Sequence, residues 1–174
     1  VDLNLPTSMD DASFDALWQH VHETCASLGL AIVTGHTGRY DGCNYPMVGG
    51  ATVLGEGQAE AVKHPRHCRP GDVVIATKGP AIEASALMAV SFPDQVRAAL
   101  GDAALPPLDG LFEAMSTVRD AEIAIDTAGD EVRAMHDATE GGVLGGLVEV
   151  AQSAGLGIEV DLGDLPWPKH VAAL

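Results

Sequence analysis

Apolar positions recur along this chain with two different periods. Phe14, Leu17, Trp18, Val21, Cys25 and Leu28 keep the spacing of one helix face. Ser8, with Asp11 three residues on, predicts the N-cap of that helix, and Gly29 predicts its end. Ahead of it, residues 1–5 read as a strand with no preceding partner. Behind it, residues 30–33 form a short buried-strand candidate. A polar, glycine-bearing loop then covers residues 34–45, and residues 47–54 read as another strand.

A mixture of glycine, charge and proline over residues 55–71 predicts a boundary. Residues 72–77 open a new unit as a strand, and Lys78-Gly79-Pro80 turns it into a helix over 81–90. Pro93, Pro106 and Pro107 mark a short helix and a turn, and residues 108–125 read as helical. A short β-prone piece, 131–134, leads to a helix over 141–154. Val143, Leu144, Leu147, Val148 and Ala151 share its apolar face, and Gly155 ends it. Residues 156–160 read as a final strand. This alternation predicts an α/β (α+β) chain, with mixed sheets covered by helices. The first domain spans residues 1–55 and the second 60–174.

Charge changes the picture more than composition does. Apolar residues make up 47% of the chain, enough for a packed core, and no run approaches a membrane span. Yet 25 acidic residues stand against 9 basic ones, a net charge of −16. Such a field repels nucleic-acid backbones and anionic membranes, so neither is an expected partner. The acid is spread along the chain, and the Asp-rich, Lys-poor balance (15 Asp, 3 Lys) suggests a halophile's protein. Any anionic ligand must then be held by a local cation or local donors. Cys25, Cys43 and Cys68 are odd in number and far apart, which points away from a disulfide framework and towards the cytoplasm. Val1 is not an initiator Met and residues 171–174 carry no closing signal, so the chain reads as a fragment of a longer protein.

The densest chemistry lies in Met135-His136-Asp137-Ala138-Thr139-Glu140-Gly141-Gly142. Two carboxylates, a hydroxyl and two glycines meet at a predicted helix N-terminus, where free N–H groups and the helix dipole suit phosphate. Asp137 and Glu140 would repel phosphate unless a cation sat between them, and Mg²⁺ is the usual solution. The alternative is that Thr139 or Asp137 merely caps the helix and Glu140 favours its first turn. Thr34-Gly35-His36-Thr37-Gly38-Arg39 offers close backbone approach, a hydroxyl and a guanidinium to a phosphate; the alternative is a glycine-rich turn. Lys78, in a strand–turn–helix, could neutralise an anionic substrate, with Glu83 as acid, base or helix-start charge; the alternative is an ordinary β–α turn. His64, His67 and Cys68 match no zinc spacing and read as an exposed linker.

Three of these pieces occur in an order that resembles the aminoimidazole-ribonucleotide synthetase superfamily. They are residues 34–37, residues 71–79 and His136-Asp137-Ala138-Thr139-Glu140-Gly141-Gly142. Relatives there include selenophosphate synthetase, thiamine-monophosphate kinase and the hydrogenase-maturation carbamoyl dehydratase, whose branch the last motif resembles most. The resemblance implies a two-domain α/β protein binding ATP and Mg²⁺. Residues 1–55 would be the latter part of an ATP-binding, dimerising domain, and residues 60–174 much of a second. It implies nucleotide contacts from Gly35, Thr37, Arg39 and Thr139, metal held by Asp137 and Glu140, and Lys78 facing the acceptor. With Asp137, Glu140 and Lys78 in those catalytic roles, the resemblance implies ATP-dependent activation or phosphorylation of a small molecule. His36 stands where the family has an acidic metal ligand, and it is a poor ligand for Mg²⁺. Other readings are a kinase or synthetase acting on a small phosphorylated metabolite, and a non-catalytic nucleotide-binding scaffold. Open strand edges near residues 1–5 and 47–54 predict a homodimer.

The charge yields a testable expectation. Screening shortens from about 10 Å at 0.1 M salt to about 3 Å at 1 M. If self-repulsion limits stability, the melting temperature rises with KCl, most steeply at first. A variant with exposed aspartates changed to asparagine should rise less. Equal rises in both would show that self-repulsion is not the cause.

Overall fold

Strand β1 (Asp2–Pro6) buries Leu3 and Leu5 and leaves Asp2 and Asn4 exposed, the alternation of a half-buried strand. The chain then makes helix α1 (Asp11–Ser27) and returns as β2 (His36–Tyr40), parallel to β1. Parallel neighbours need such a crossover. Strand β3 (Val48–Gly50) closes on the other side, antiparallel, giving the order β2-β1-β3. β1 is therefore the central strand. The open edge expected near residues 1–5 is corrected: Asp2 pairs with His36 on one side and Gly50 on the other, and the edges belong to β2 and β3.

This computed structural model describes residues 1–173 and, of residue 109, the backbone alone. Leu174, the last residue of the expected second domain, lies outside the described residues. The chain is α/β and divides into two compact units, Val1–Glu56 and Gly57–Leu174.

Local signals decide the ends of α1 in part. Its N-cap is Asp10 rather than the expected Ser8, because the Asp10 carboxylate accepts from the Ser13 N–H at 2.7 Å. That backbone donor holds the Asp10 carboxyl below its usual value. Gly29 follows the helix at φ +68°, as a C′ glycine should. The turn also explains why residues 30–33 form no strand. The Leu30 N–H bonds back to the Cys25 carbonyl, and the chain joins β1 only from residue 36, inside the expected loop.

The second unit is helical among its described residues: α2 (Ile82–Ser91), α3 (Pro93–Leu100), α4 (Leu105–Asp109), α5 (Leu111–Ala114), α6 (Val118–Ala128) and α7 (Gly142–Ala154). Pro93 sits at the start of α3, where its missing N–H costs nothing. The single helix expected over 108–125 is broken at Gly110 and again at residues 115–117. Ala89, Val96 and Leu108 form the core, with Leu100, Ala104, Leu105 and Leu111 packed on it.

Three expected strands here do not pair. Residues 72–77 begin in a turn, with the Asp72 N–H bonded to the Arg69 carbonyl, and Val73 and Ile75 stay more than four-fifths exposed. Residues 131–134 begin within a 3₁₀ turn, Gly129–Glu131, and residues 156–160 leave α7 through a turn at Gly155, φ +65°. Apolar β-prone sequence supplies a face but not a neighbour to bond with. Among the described residues no helix is long and apolar enough to cross a membrane.

Leu108 is fully buried. Leu108→Ala should cost about 2–5 kcal/mol of stability in urea unfolding. Leu162→Ala, at an exposed position, should stay within about 0.5 kcal/mol. Equal effects would remove the assigned core.

Candidate functional site

The segment 137–140 runs exposed into the start of α7. The Gly142 N–H donates to the Thr139 carbonyl at 3.0 Å, and Gly141 and Gly142 take φ of +82° and +61°. Only glycine adopts two such residues in succession without strain. The N-cap is Gly141, and no side chain caps the helix. This removes the reading of Asp137 or Thr139 as simple caps. Among the described residues, the carboxylates of Asp137 and Glu140 and the hydroxyl of Thr139 make no hydrogen bond or ion pair within the chain. Two unpaired carboxylates beside uncapped N–H groups are a donor set that suits Mg²⁺ together with phosphate oxygens. Among the described residues no group of three or more His, Cys, Asp or Glu is placed to hold a metal by itself.

Helix α7 presents glycine to this segment. A Cβ on Gly145 would lie 2.9 Å from the Glu140 carbonyl oxygen, and one on buried Gly146 would lie 3.6 Å from that of Asp137. His136 adds side-chain contacts. Its Nδ1 faces the Asp137 carbonyl oxygen at 2.5 Å and its Nε2 faces Glu149 Oε2 at 3.0 Å. Glu149 was not among the sequence candidates, since nothing separates it from other exposed helical glutamates.

Lys78 is already engaged. Its Nζ lies 2.6 Å from Asp120 Oδ2 and donates to the Ser116 carbonyl. The turn around it is strained: Lys78 and Ala81 both take positive φ, +62° and +59°. Ala81 is the left-handed N-cap of α2. Glu83 lies in the first turn of that helix. Among the described residues no hydrogen bond or ion pair joins Lys78 to Asp137 or Glu140.

In the first unit, Gly35 and Thr37 line a recess of about 260 Å³ with Trp18, Ile32 and His36. A side chain at Gly35 would collide with the Val1 carbonyl oxygen, 2.0 Å from its Cβ, so close strand approach requires this glycine. Trp18, read from the sequence as a helix-face residue, adds an aromatic wall. Arg39 pairs with Asp11 at 2.7 Å and lies 5.8 Å over the Phe14 ring. His36 Nε2 faces the Tyr40 hydroxyl at 3.0 Å. Cys43 contacts the Asn4 and Tyr45 carbonyls, not His36.

A larger recess, about 540 Å³, is lined by Lys63, His67, Arg69, Asp130 and Arg133 among others. Its cations are largely answered: Arg133 by Asp72 at 2.5 Å, and Lys63 by the Gly129 carbonyl and Asp130. His64 and His67 both accept from Arg66, through its N–H and its Nε–H.

Comparison with known proteins gives one match. Residues 69–173, more than half of the chain, match the family model described as AIR synthase related protein, C-terminal domain. No curated protein and no solved structure matches the chain.

The Lys78–Asp120 pair sets a pH dependence. The hydrogen bond from Lys78 holds the Asp120 carboxyl below its ordinary value of 3.8. A carboxyl depressed in the folded state adds stability above its unfolded value and loses it as pH falls through the folded one. The stability gap between wild type and Asp120→Asn should therefore be constant near neutrality and close below about pH 4. A gap that stayed constant to about pH 2 would rule the pair out as its source.

Proposed function

The chain belongs to the AIR synthase related family through its C-terminal domain, and on that premise we propose that it acts in an ATP-dependent enzyme. The reaction activates or phosphorylates a small substrate, and the motif at residues 136–142 favours the hydrogenase-maturation branch. Members of the superfamily generally use ATP and Mg²⁺. The observation that carries the reading is the pair Asp137 and Glu140, unpaired beside the uncapped start of α7.

Phosphoryl chemistry leaves a protein two tasks, positioning and charge neutralisation. Asp137 and Glu140 would hold Mg²⁺, which supplies positive charge against the phosphates when bound. Thr139 would donate its hydroxyl to a phosphate oxygen, as would the free N–H groups of the first turn of α7. Lys78 would hold an anionic acceptor, whose charged group takes the place of the Asp120 carboxylate. In the first unit Gly35 and Thr37 would meet nucleotide phosphates along their recess, and Arg39 would join them by exchanging Asp11. The reading of the chain as a non-catalytic nucleotide-binding scaffold draws its support from His36, a poor Mg²⁺ ligand whose Nε2 faces Tyr40.

A homodimer is part of the same proposal. β2 and β3 are the edge strands of the sheet, and open edges invite another strand. β3 is exposed along its length, and Val53 and Leu54 beyond it are exposed too. Sedimentation at high salt should give a dimer; a monomer at every concentration would remove this part.

Calorimetry tests the core of the reading. ATP should bind more tightly with Mg²⁺ than without it. Asp137→Asn should remove about tenfold of that gain, a change of ~1.4 kcal/mol. Equal affinity of the wild type with and without Mg²⁺ would end the metal reading.

A further inference from the structure

We propose that the larger recess of the second unit binds the phosphate group of a small metabolite through Arg69, Arg133 and Lys63. The recess shares no residue with the Asp137–Glu140 segment, and the proposal does not depend on the metal–nucleotide reading.

Charge singles this recess out. The chain has nine Lys and Arg residues against 25 acids, and three of the nine line it. Glu60 and Asp130 line it as well. Three cations against two carboxylates leave one positive charge, with His67 neutral, in a chain of net −16. A surface of net negative charge repels anions, so a patch of opposite sign marks where one can be held.

Contacts between distant parts of the sequence build the recess. Lys63 Nζ donates to the Gly129 carbonyl at 3.0 Å and lies 3.6 Å from Asp130 Oδ1. The His64 N–H donates to the Arg133 carbonyl at 3.0 Å. Asp72 divides its carboxylate: Oδ2 accepts from the Arg69 N–H at 2.8 Å and Oδ1 from Arg133 Nη1 at 2.5 Å. Because one oxygen is taken by a backbone amide, Arg133 meets a single oxygen instead of a fork, and most of its donors stay open.

Arg69 decides the chemistry. Its backbone is fixed by Asp72, yet among the described residues its guanidinium makes no hydrogen bond or ion pair. An arginine anchored at its main chain, with five N–H donors unmatched, is prepared for a forked contact to an oxyanion. The open donors of Arg133 and the Lys63 ammonium supply further contacts, which suits a tetrahedral group better than a planar carboxylate. At about 540 Å³ the recess lies within the range of small-molecule pockets, roughly 300–1,000 Å³. Glu60 and Asp130 repel a second anionic group, so the rest of the ligand is neutral or cationic.

The test titrates the whole chain with inorganic phosphate, without Mg²⁺ and at constant ionic strength, and follows arginine Nε–H and backbone amide resonances. Saturable shifts are expected at Arg69 and Arg133. Arg69→Ala should weaken phosphate binding by about 10–100-fold, the scale of a hydrogen bond to a charged group, and leave the melting temperature near wild type. Arg69→Lys keeps the charge, loses the fork and should fall between the two. Arg119→Ala, at an exposed arginine outside the recess, should leave binding unchanged. O-phosphoethanolamine should bind more tightly than phosphoglycolate, which carries a second anion. Equal losses in Arg69→Ala and Arg119→Ala, or shifts that never saturate, would mean an adventitious ion only and overturn the proposal. Shifts confined to Gly141 and Gly142 would overturn it in favour of the start of α7. Acetate binding as tightly as phosphate, or phosphoglycolate binding more tightly than O-phosphoethanolamine, would overturn the ligand class.

Discussion

A side chain at Gly145 would bring its Cβ to 2.9 Å from the Glu140 carbonyl oxygen, a distance real Cβ atoms do not tolerate. That contact fixes the composition of the candidate site. Because α7 carries glycine at 145 and 146, the segment before it can fold back onto the helix it is about to enter. The left-handed Gly141 and Gly142 make the same reversal possible in the backbone. The helix start is then left to Gly141, and the polar side chains that would otherwise cap it remain free for another ligand.

Electrostatics leads to the same place. Of the nine Lys and Arg residues, six are paired with carboxylates among the described residues: Arg39, Lys63, Lys78, Arg97, Arg119 and Arg133. A chain with net charge −16 therefore keeps few cations for a phosphate, and two thirds of its Lys and Arg residues are already committed to carboxylates. Exposed pairs of this kind add little stability, but they do compete for any anion that approaches. Under that constraint a divalent cation, if held by Asp137 and Glu140 as proposed, would supply positive charge that the chain's own side chains offer sparingly.

Periodicity in the sequence reads faces, and what it read well were elements whose ends have a local cause. α1 with Gly29 and α7 with Gly155 fall where spacing and glycine put them. What it could not read were partners distant in the chain. Residues 72–77 have strand composition, but Asp72 is drawn into a turn and an ion pair with Arg133. The stretch 108–125 has helical spacing throughout, yet Gly110 and the turn at 115–117 divide it. At the site, the carboxylates and glycines of residues 137–142 announced themselves by density. Asp120 and Glu149 did not, since each matters only through what it meets in three dimensions, Lys78 and His136.

The central claim is that Asp137 and Glu140 share one divalent ion with a nucleotide's phosphates. Crystals grown with Mn²⁺ and a non-hydrolysable ATP analogue test it directly, because manganese scatters anomalously and marks its own position. The account requires an anomalous peak within ligating distance of both carboxylates, about 2.1 Å for an octahedral ion of this size, with a phosphate oxygen completing the set. A well-ordered nucleotide whose Mn²⁺ peak lay away from both carboxylates would contradict it.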